Sequence, residues 1–228
     1  MNEEPILVWF RDDLRLADHA ALLAAARTGE PVVAVYVDCA VEMKPWSMGE
    51  ASRWWRHQSL LRLRASLEAM GSRLIIRQGR AAVVLRRLAE ETGAVGVYCH
   101  GSYEPGGIEQ EKKVEGALRE RGVALVRFPG HLLYEPGMVR TGDGRGYKVF
   151  TPFWRACQQL PEPEAPRGAA KSLRGLRAWP ESLTVGDLGM LAGKDRAAEL
   201  GGWWQVGEQA AMRRLNRFLR EGLEGYEK

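Results

Sequence analysis

The chain has 228 residues, 45% of them hydrophobic and 27% charged, with a net charge of +4. Such a length holds one or two domains with a sizeable core, and the composition is that of an ordinary globular protein. No apolar run approaches membrane-spanning length, the start MNEEP lacks the basic and apolar regions of a signal peptide, and the three cysteines (Cys39, Cys99, Cys157) show no metal-type pairing. Reduced thiols in a cytoplasmic protein follow, and the mild basic charge permits nucleic-acid contact without indicating it.

Residues 6–22, ILVWFRDDLRLADHAAL, organise the rest. Ile6 to Phe10 form a continuous apolar run, which suits a strand buried on both faces of a parallel sheet. Arg11, Asp12, Asp13 and Arg15 follow at once, as either a ligand rim or a salt-bridged surface loop. Asp18 is expected to cap a helix starting at His19.

Residues 31–37, PVVAVYV, read as a second buried strand, and a long helix is expected over about 50–70, stopped by Gly71. Strands at 74–76, 95–98 and 123–128 alternate with helices at 82–92 and 108–120. This alternation predicts an α/β fold: a doubly wound, five-stranded, mostly parallel Rossmann-like sheet, followed by a linker and a C-terminal helix. Thr151 and Pro152 are expected to open a short helix. Residues 160–202 read as a surface linker with little regular structure, and helix returns from Val206, with Ala211, Leu215, Phe218 and Leu219 on one face. Neither TGDGRGY (141–147) nor GMLAGKD (189–195) has the context or spacing of a phosphate-binding loop.

The opening WFRDDLRLAD resembles the first-strand signature of the DNA photolyase/cryptochrome family, which usually has Arg where Asp12 stands here. Four further segments resemble that family in the right order: GEASRWWRHQSLLRLRASL from Gly49, the Tyr103-Glu104-Pro105 step, YKVFTPFWRA from Tyr147, and Gly207-Glu208 with Leu215, Phe218-Leu219 and Tyr226. The resemblance implies the α/β domain over residues 1–130, an interdomain linker with a short helix over 131–205, and the first helix of a flavin-binding helical domain over 206–228. It implies that the parent protein repairs pyrimidine dimers in ultraviolet-damaged DNA by light-driven electron transfer from FAD. The helical half is not expected in this chain, so no catalytic residue is assigned and the chain alone is expected to lack repair activity and bound FAD. A cryptochrome-type photoreceptor domain and a stand-alone nucleotide-binding α/β protein are the alternatives.

The resemblance also implies an auxiliary light-harvesting chromophore near the strand carboxyl ends. Phe10 and Arg11, Val37 and Asp38, Ser52, and Glu104 with Gly106 and Gly107 are the residues here that can line it. Asp38 or Glu104 can accept from ring N–H groups, or else cap helices or sit in solvent. Folate-binding members carry an Asn-Glu pair where Gly106 and Gly107 stand, so a deazaflavin or flavin is favoured over folate. Tyr226 matches a tyrosine that contacts FAD in full-length members. Trp54, Trp55 and Trp154 are expected in packing. No metal site is expected, nor a membrane partner, and self-association through the C-terminal helix is one way to cover its apolar face.

Overall fold

The computed structural model describes residues 3–42, 47–130, 132–191 and 194–226. Five strands form one sheet in the order β3-β2-β1-β4-β5: β1 (Ile6–Phe10), β2 (Val32–Asp38), β3 (Leu74–Gln78), β4 (Gly96–His100) and β5 (Ala124–Phe128). Every pairing is parallel, and Val8 at the centre faces Ala34 on one side and Tyr98 on the other. The mostly parallel, doubly wound architecture read from the alternation is therefore the one observed.

Side chains of β1 alternate between two cores, as strand geometry requires. Ile6, Val8 and Phe10 pack with Leu22 of α1 (Ala20–Arg27) and with Leu60, Leu63 and Leu67 of α2 (Glu50–Ala69). Leu7 and Trp9 pack on the other face with Leu85 and Leu88 of α3 (Ala81–Thr92) and with Val114 and Leu118 of α4 (Pro105–Arg119). The chain winds outward from β1 to β3 over one face, then returns to β4 on the other side of β1. The carboxyl ends of β1 and β4 are thus the topological switch point, where sheets of this kind bind ligands.

Several boundaries differ from the sequence reading. The cap of α1 is His19, whose Nδ1 accepts the Leu22 N–H at 3.1 Å. Asp18 takes a left-handed conformation (φ 51°) and its carboxylate accepts the Arg167 N–H instead. Helix α4 begins at Pro105, which is preset for a first helical position, so Gly106 and Gly107 lie inside its first turn. A short helix, α5 (Phe150–Cys157), starts one residue before Thr151, with Val149 at the cap.

Residues 160–202 are not a simple surface linker. Leu173, Val185, Leu188 and Met190 are buried in the α1/α2 core, a 3₁₀ turn forms at Gly186–Leu188, and α6 spans Lys194–Trp203. This stretch also closes the exposed edge of β3, since the Leu183 N–H donates to the Ile76 carbonyl and the Ile76 N–H to Ser182 Oγ. Gly71 (φ 91°) makes the approach feasible, because a Cβ there would stand 2.8 Å from the Leu173 carbonyl oxygen. The sparse apolar residues of the segment gave no periodic signal, so its packing was not readable locally.

The last helix, α7, spans Glu208–Glu221. Glu208 anchors it: its two carboxylate oxygens accept the Leu16 and Ala17 backbone N–H groups, both at 2.8 Å.

Candidate functional site

At the switch point the charged cluster after β1 turns inward. Arg11 lies over the Trp9 ring, donates to the His100 carbonyl and pairs with Glu111 of α4 at 2.8 Å. Glu111 is buried and fully engaged, accepting the Ser102 N–H at 2.7 Å and Arg127 at 2.8 Å as well. Arg56 of α2 reaches Asp12 and the Tyr36 hydroxyl. Most of the rim therefore belongs to the salt-bridged reading.

Asp13 carries a second internal network. Its Oδ1 accepts the Arg11 N–H at 2.8 Å, and its Oδ2 lies 3.1 Å from His19 Nε2 and 2.8 Å from His100 Nδ1. All three side chains are buried, and the two imidazoles stack with centroids 4.1 Å apart. Burial works against the Asp13 charge, but the hydrogen bonds from His100 and His19 and the Arg11 amide prevail and hold its carboxyl well below the usual carboxylate range. Burial likewise lowers the pKa of His100, with Asp13 opposing it only in part.

The Asp13, His19 and His100 ligand atoms all lie within 4.8 Å of one another, a separation a metal ion could span. His19 argues against that use. Its Nδ1 accepts a backbone N–H and so carries no proton, which leaves the proton on Nε2, facing Asp13. A metal-bound imidazole ordinarily donates from its other nitrogen. The cluster is a protonic one that ties the β1 exit, the start of α1 and the end of β4 together.

The residues expected to line a chromophore site separate into two groups. Phe10 and Val37 are buried in opposite cores and form packing beneath the strand ends. Asp38 is buried and accepts from Gln78 Nε2 at 3.0 Å, so it neither caps a helix nor meets solvent. Arg11 is engaged as above. Ser52 is exposed on the first turns of α2. Glu104 is exposed at the cap of α4, with no hydrogen bond or ion pair to its carboxylate among the described residues. Nothing lies within 4 Å of a Cβ placed on Gly106, whereas at Gly107 it would stand 1.9 Å from Ser102 Oγ. Ser102 thus fills the side-chain space at Gly107. Tyr226 is 76% exposed, and its ring meets Phe218 edge-on.

Sequence reasoning missed Glu42, which ties the strand ends to both helices by accepting the Ala81 N–H (2.9 Å) and Gln110 Nε2 (3.0 Å). It also missed the roles of His19, His100 and Glu111. The polar residues at the start of α1 and the end of β4 were the available signal, since each interrupts an otherwise apolar stretch.

The sequence model of the DNA photolyase family matches residues 6–169. A deoxyribodipyrimidine photo-lyase of Agrobacterium fabrum is 41% identical over 228 residues, covering 100% of this chain and 47% of that protein. Cryptochrome-1 of Arabidopsis thaliana is 36% identical over 162 residues, covering 70% of this chain and 24% of the cryptochrome. Among solved structures, a bacterial class III photolyase from Agrobacterium tumefaciens superposes with a TM-score of 0.92 at 40% identity, again over 100% of this chain and 47% of the other. The chain spans about half the length of the photolyases it matches.

Proposed function

The chain belongs to the DNA photolyase family, and from that premise we propose that it is the antenna-binding α/β domain of a deoxyribodipyrimidine photolyase. The observation that carries this reading is the 41% identity to a photolyase along the whole chain, against 32% to a cryptochrome over 99% of it. The stand-alone nucleotide-binding alternative loses ground because Arg11, Asp12 and Asp13, where a phosphate-gripping loop would be needed, are spent on internal partners.

In this reading residues 1–130 are the α/β domain, 131–205 the connection and 206–228 the opening of the helical domain. The parent protein, acting in the cytoplasm, holds FAD and ultraviolet-damaged DNA through that helical domain, with Tyr226 at the edge of the FAD site. Light-driven splitting of pyrimidine dimers belongs to the parent. The antenna chromophore sits over the switch point, on a floor of Phe10 and Val37, with Arg11, Asp38 and Ser52 around it. Glu104 supplies a free acceptor for ring N–H groups, and Gly106 the open approach; Gly107 contributes backbone only, because Ser102 fills its side-chain space. A deazaflavin or flavin is favoured over a folate, since neither glycine offers the side-chain acceptors of the acid–amide pair. Self-association through α7 belongs to the same reading: Leu215, Phe218 and Leu219 are 39–51% exposed on one chain, and sedimentation over a dilution series tests it.

The experiment for the chromophore is a fluorescence titration of the chain with a deazaflavin and with methenyl-folate, repeated on Glu104→Gln. Deazaflavin binding weakened by the substitution is expected. Tight folate binding with no deazaflavin response overturns the ring preference, and silence from both overturns the site. Irradiation of dimer-containing DNA with this chain alone is expected to leave the dimers intact.

A further inference from the structure

The loop from β1 into α1, residues 11–19, carries three distant parts of the chain. The Leu16 and Ala17 amides hold Glu208 at the head of α7. Asp18 holds Arg167 twice: its N–H donates to the Arg167 carbonyl at 2.7 Å, and its carboxylate accepts the Arg167 N–H at 3.1 Å. The Arg15 guanidinium donates to the Asp18 carbonyl at 2.9 Å and to the Gly130 carbonyl at 2.7 Å, which ties the chain just past β5 to the same loop.

From the inside, the loop is seated on the buried network through Asp13 and its two histidines. The backbone of Gly130 lies directly on the His100 ring, where a Cβ would stand 2.4 Å from Cδ2. His100 is 1% exposed, so a charge on its ring gains water only if residue 130 or the loop moves off it. The titratable and charged groups facing the ring are Asp13 beside it, His19 stacked on it and Arg15 across Gly130, while Arg11 meets its carbonyl. Burial opposes a charge on the ring, Asp13 favours it and Arg15 opposes it.

We propose that this loop is a proton-operated joint: a proton taken up by the His100 ring lifts residue 130 and the loop off the sheet end, and so frees α7 and the segment around Arg167 from the α/β core. The neutral ring fits the closed joint, and the charged ring is served by water in the open one. Once open, His100 titrates as an ordinary histidine. The open form therefore gains on the closed one as pH falls below about 6.5, and stops gaining when the closed ring is charged as well. Asp13 takes no part in that window, because its carboxyl is held well below it. Movement of Leu16 and Ala17 withdraws both donors from Glu208. Ala210 is the one buried residue of α7, so loss of that anchor loosens the whole helix.

The test is amide hydrogen exchange of the chain at about pH 7.5, 6.5 and 5.5, expressed as protection factors so that the intrinsic pH dependence of exchange cancels. Residues 13–19 and 208–221 are expected to lose protection together below about pH 6.5, by at most about tenfold per pH unit, the limit for one proton, while β2 and α3 keep theirs. His100→Asn retains an N–H donor for Asp13 but does not titrate, and is expected to give a flat profile in both segments. His57→Asn and His131→Asn remove histidines elsewhere in the chain, and His19→Asn keeps an acceptor for the Leu22 N–H; all three are expected to retain the step. Glu208→Gln loosens α7 at every pH, yet the step in residues 13–19 remains. A step that survives in His100→Asn, or that vanishes in any of the other four variants, overturns the proposal. So does an unchanged parent between about pH 7.5 and 5.5, or a loss of protection that spreads to β2 and α3. Should His100→Asn fail to fold, His100→Gln carries the same expectation of a flat profile.

Discussion

Removing the Asp13 carboxylate tests the internal network at the switch point. Asp13→Ala leaves two buried imidazole N–H groups and the Arg11 amide without their acceptor. Breaking a buried, hydrogen-bonded charge cluster from one side costs about 3–5 kcal/mol, a large part of a domain's total of about 5–15 kcal/mol. With a urea slope of about 2–3 kcal/mol per M for a chain of this size, the unfolding midpoint falls by about 1–2 M. Asp13→Asn keeps the shape but can present its one carbonyl either to the histidines or to Arg11. One side then meets an amide N–H₂, and a loss of about 1–3 kcal/mol is expected.

The pH dependence supplies a second readout. The Asp13 carboxyl lies below its ordinary range when folded, so its stabilisation is complete above the ordinary carboxylate range and is lost as pH falls through the depressed value. The His100 pKa is also depressed, so the fold favours the neutral ring, and stability declines as pH drops below roughly 6.5. In Asp13→Ala the carboxylate limb disappears, and the histidine limb deepens because the opposing pull of Asp13 is gone. A midpoint shift under about 0.3 M at unchanged slope, with the acid limb intact, would refute the reasoning.

Two further predictions concern the helix ends. Gly107→Ala pushes a Cβ into Ser102 Oγ and is expected to destabilise by about 1–3 kcal/mol, whereas Gly106→Ala, with open space around it, is neutral or stabilising by up to about 1 kcal/mol; thermal melts of the two variants and of Gly107→Ala/Ser102→Gly, which should recover most of the loss, check this. Glu208→Ala removes the acceptor of the Leu16 and Ala17 amides, two charge-assisted bonds of about 1.5–3 kcal/mol each before compensation by water. Hydrogen exchange should then accelerate across α7 while β1 keeps its protection, and unchanged exchange in α7 would show that Glu208 does not anchor it.

The parallel, doubly wound sheet follows from local pattern. Apolar runs such as Ile6–Phe10 and Val32–Asp38, separated by helices of 3.6-residue period, leave few alternatives to a right-handed parallel winding, so the sheet was legible along the chain. The photolyase signatures were equally legible, because they are contiguous. What the chain could not show locally is which charges meet. Asp13 and His100 are far apart in sequence and adjacent only because β1 and β4 pair, and Glu208 reaches Leu16 across almost the whole chain. The same limit hid which core each of Phe10 and Val37 enters. Their position at strand ends is a property of sequence, while the direction in which they point depends on which face α1 and α3 cover. Short-range periodicity determined the elements and their layers. The partners of Asp13, Glu111 and Glu208 were decided by long-range pairing, where the burial of a charge has meaning only once its neighbours are in place.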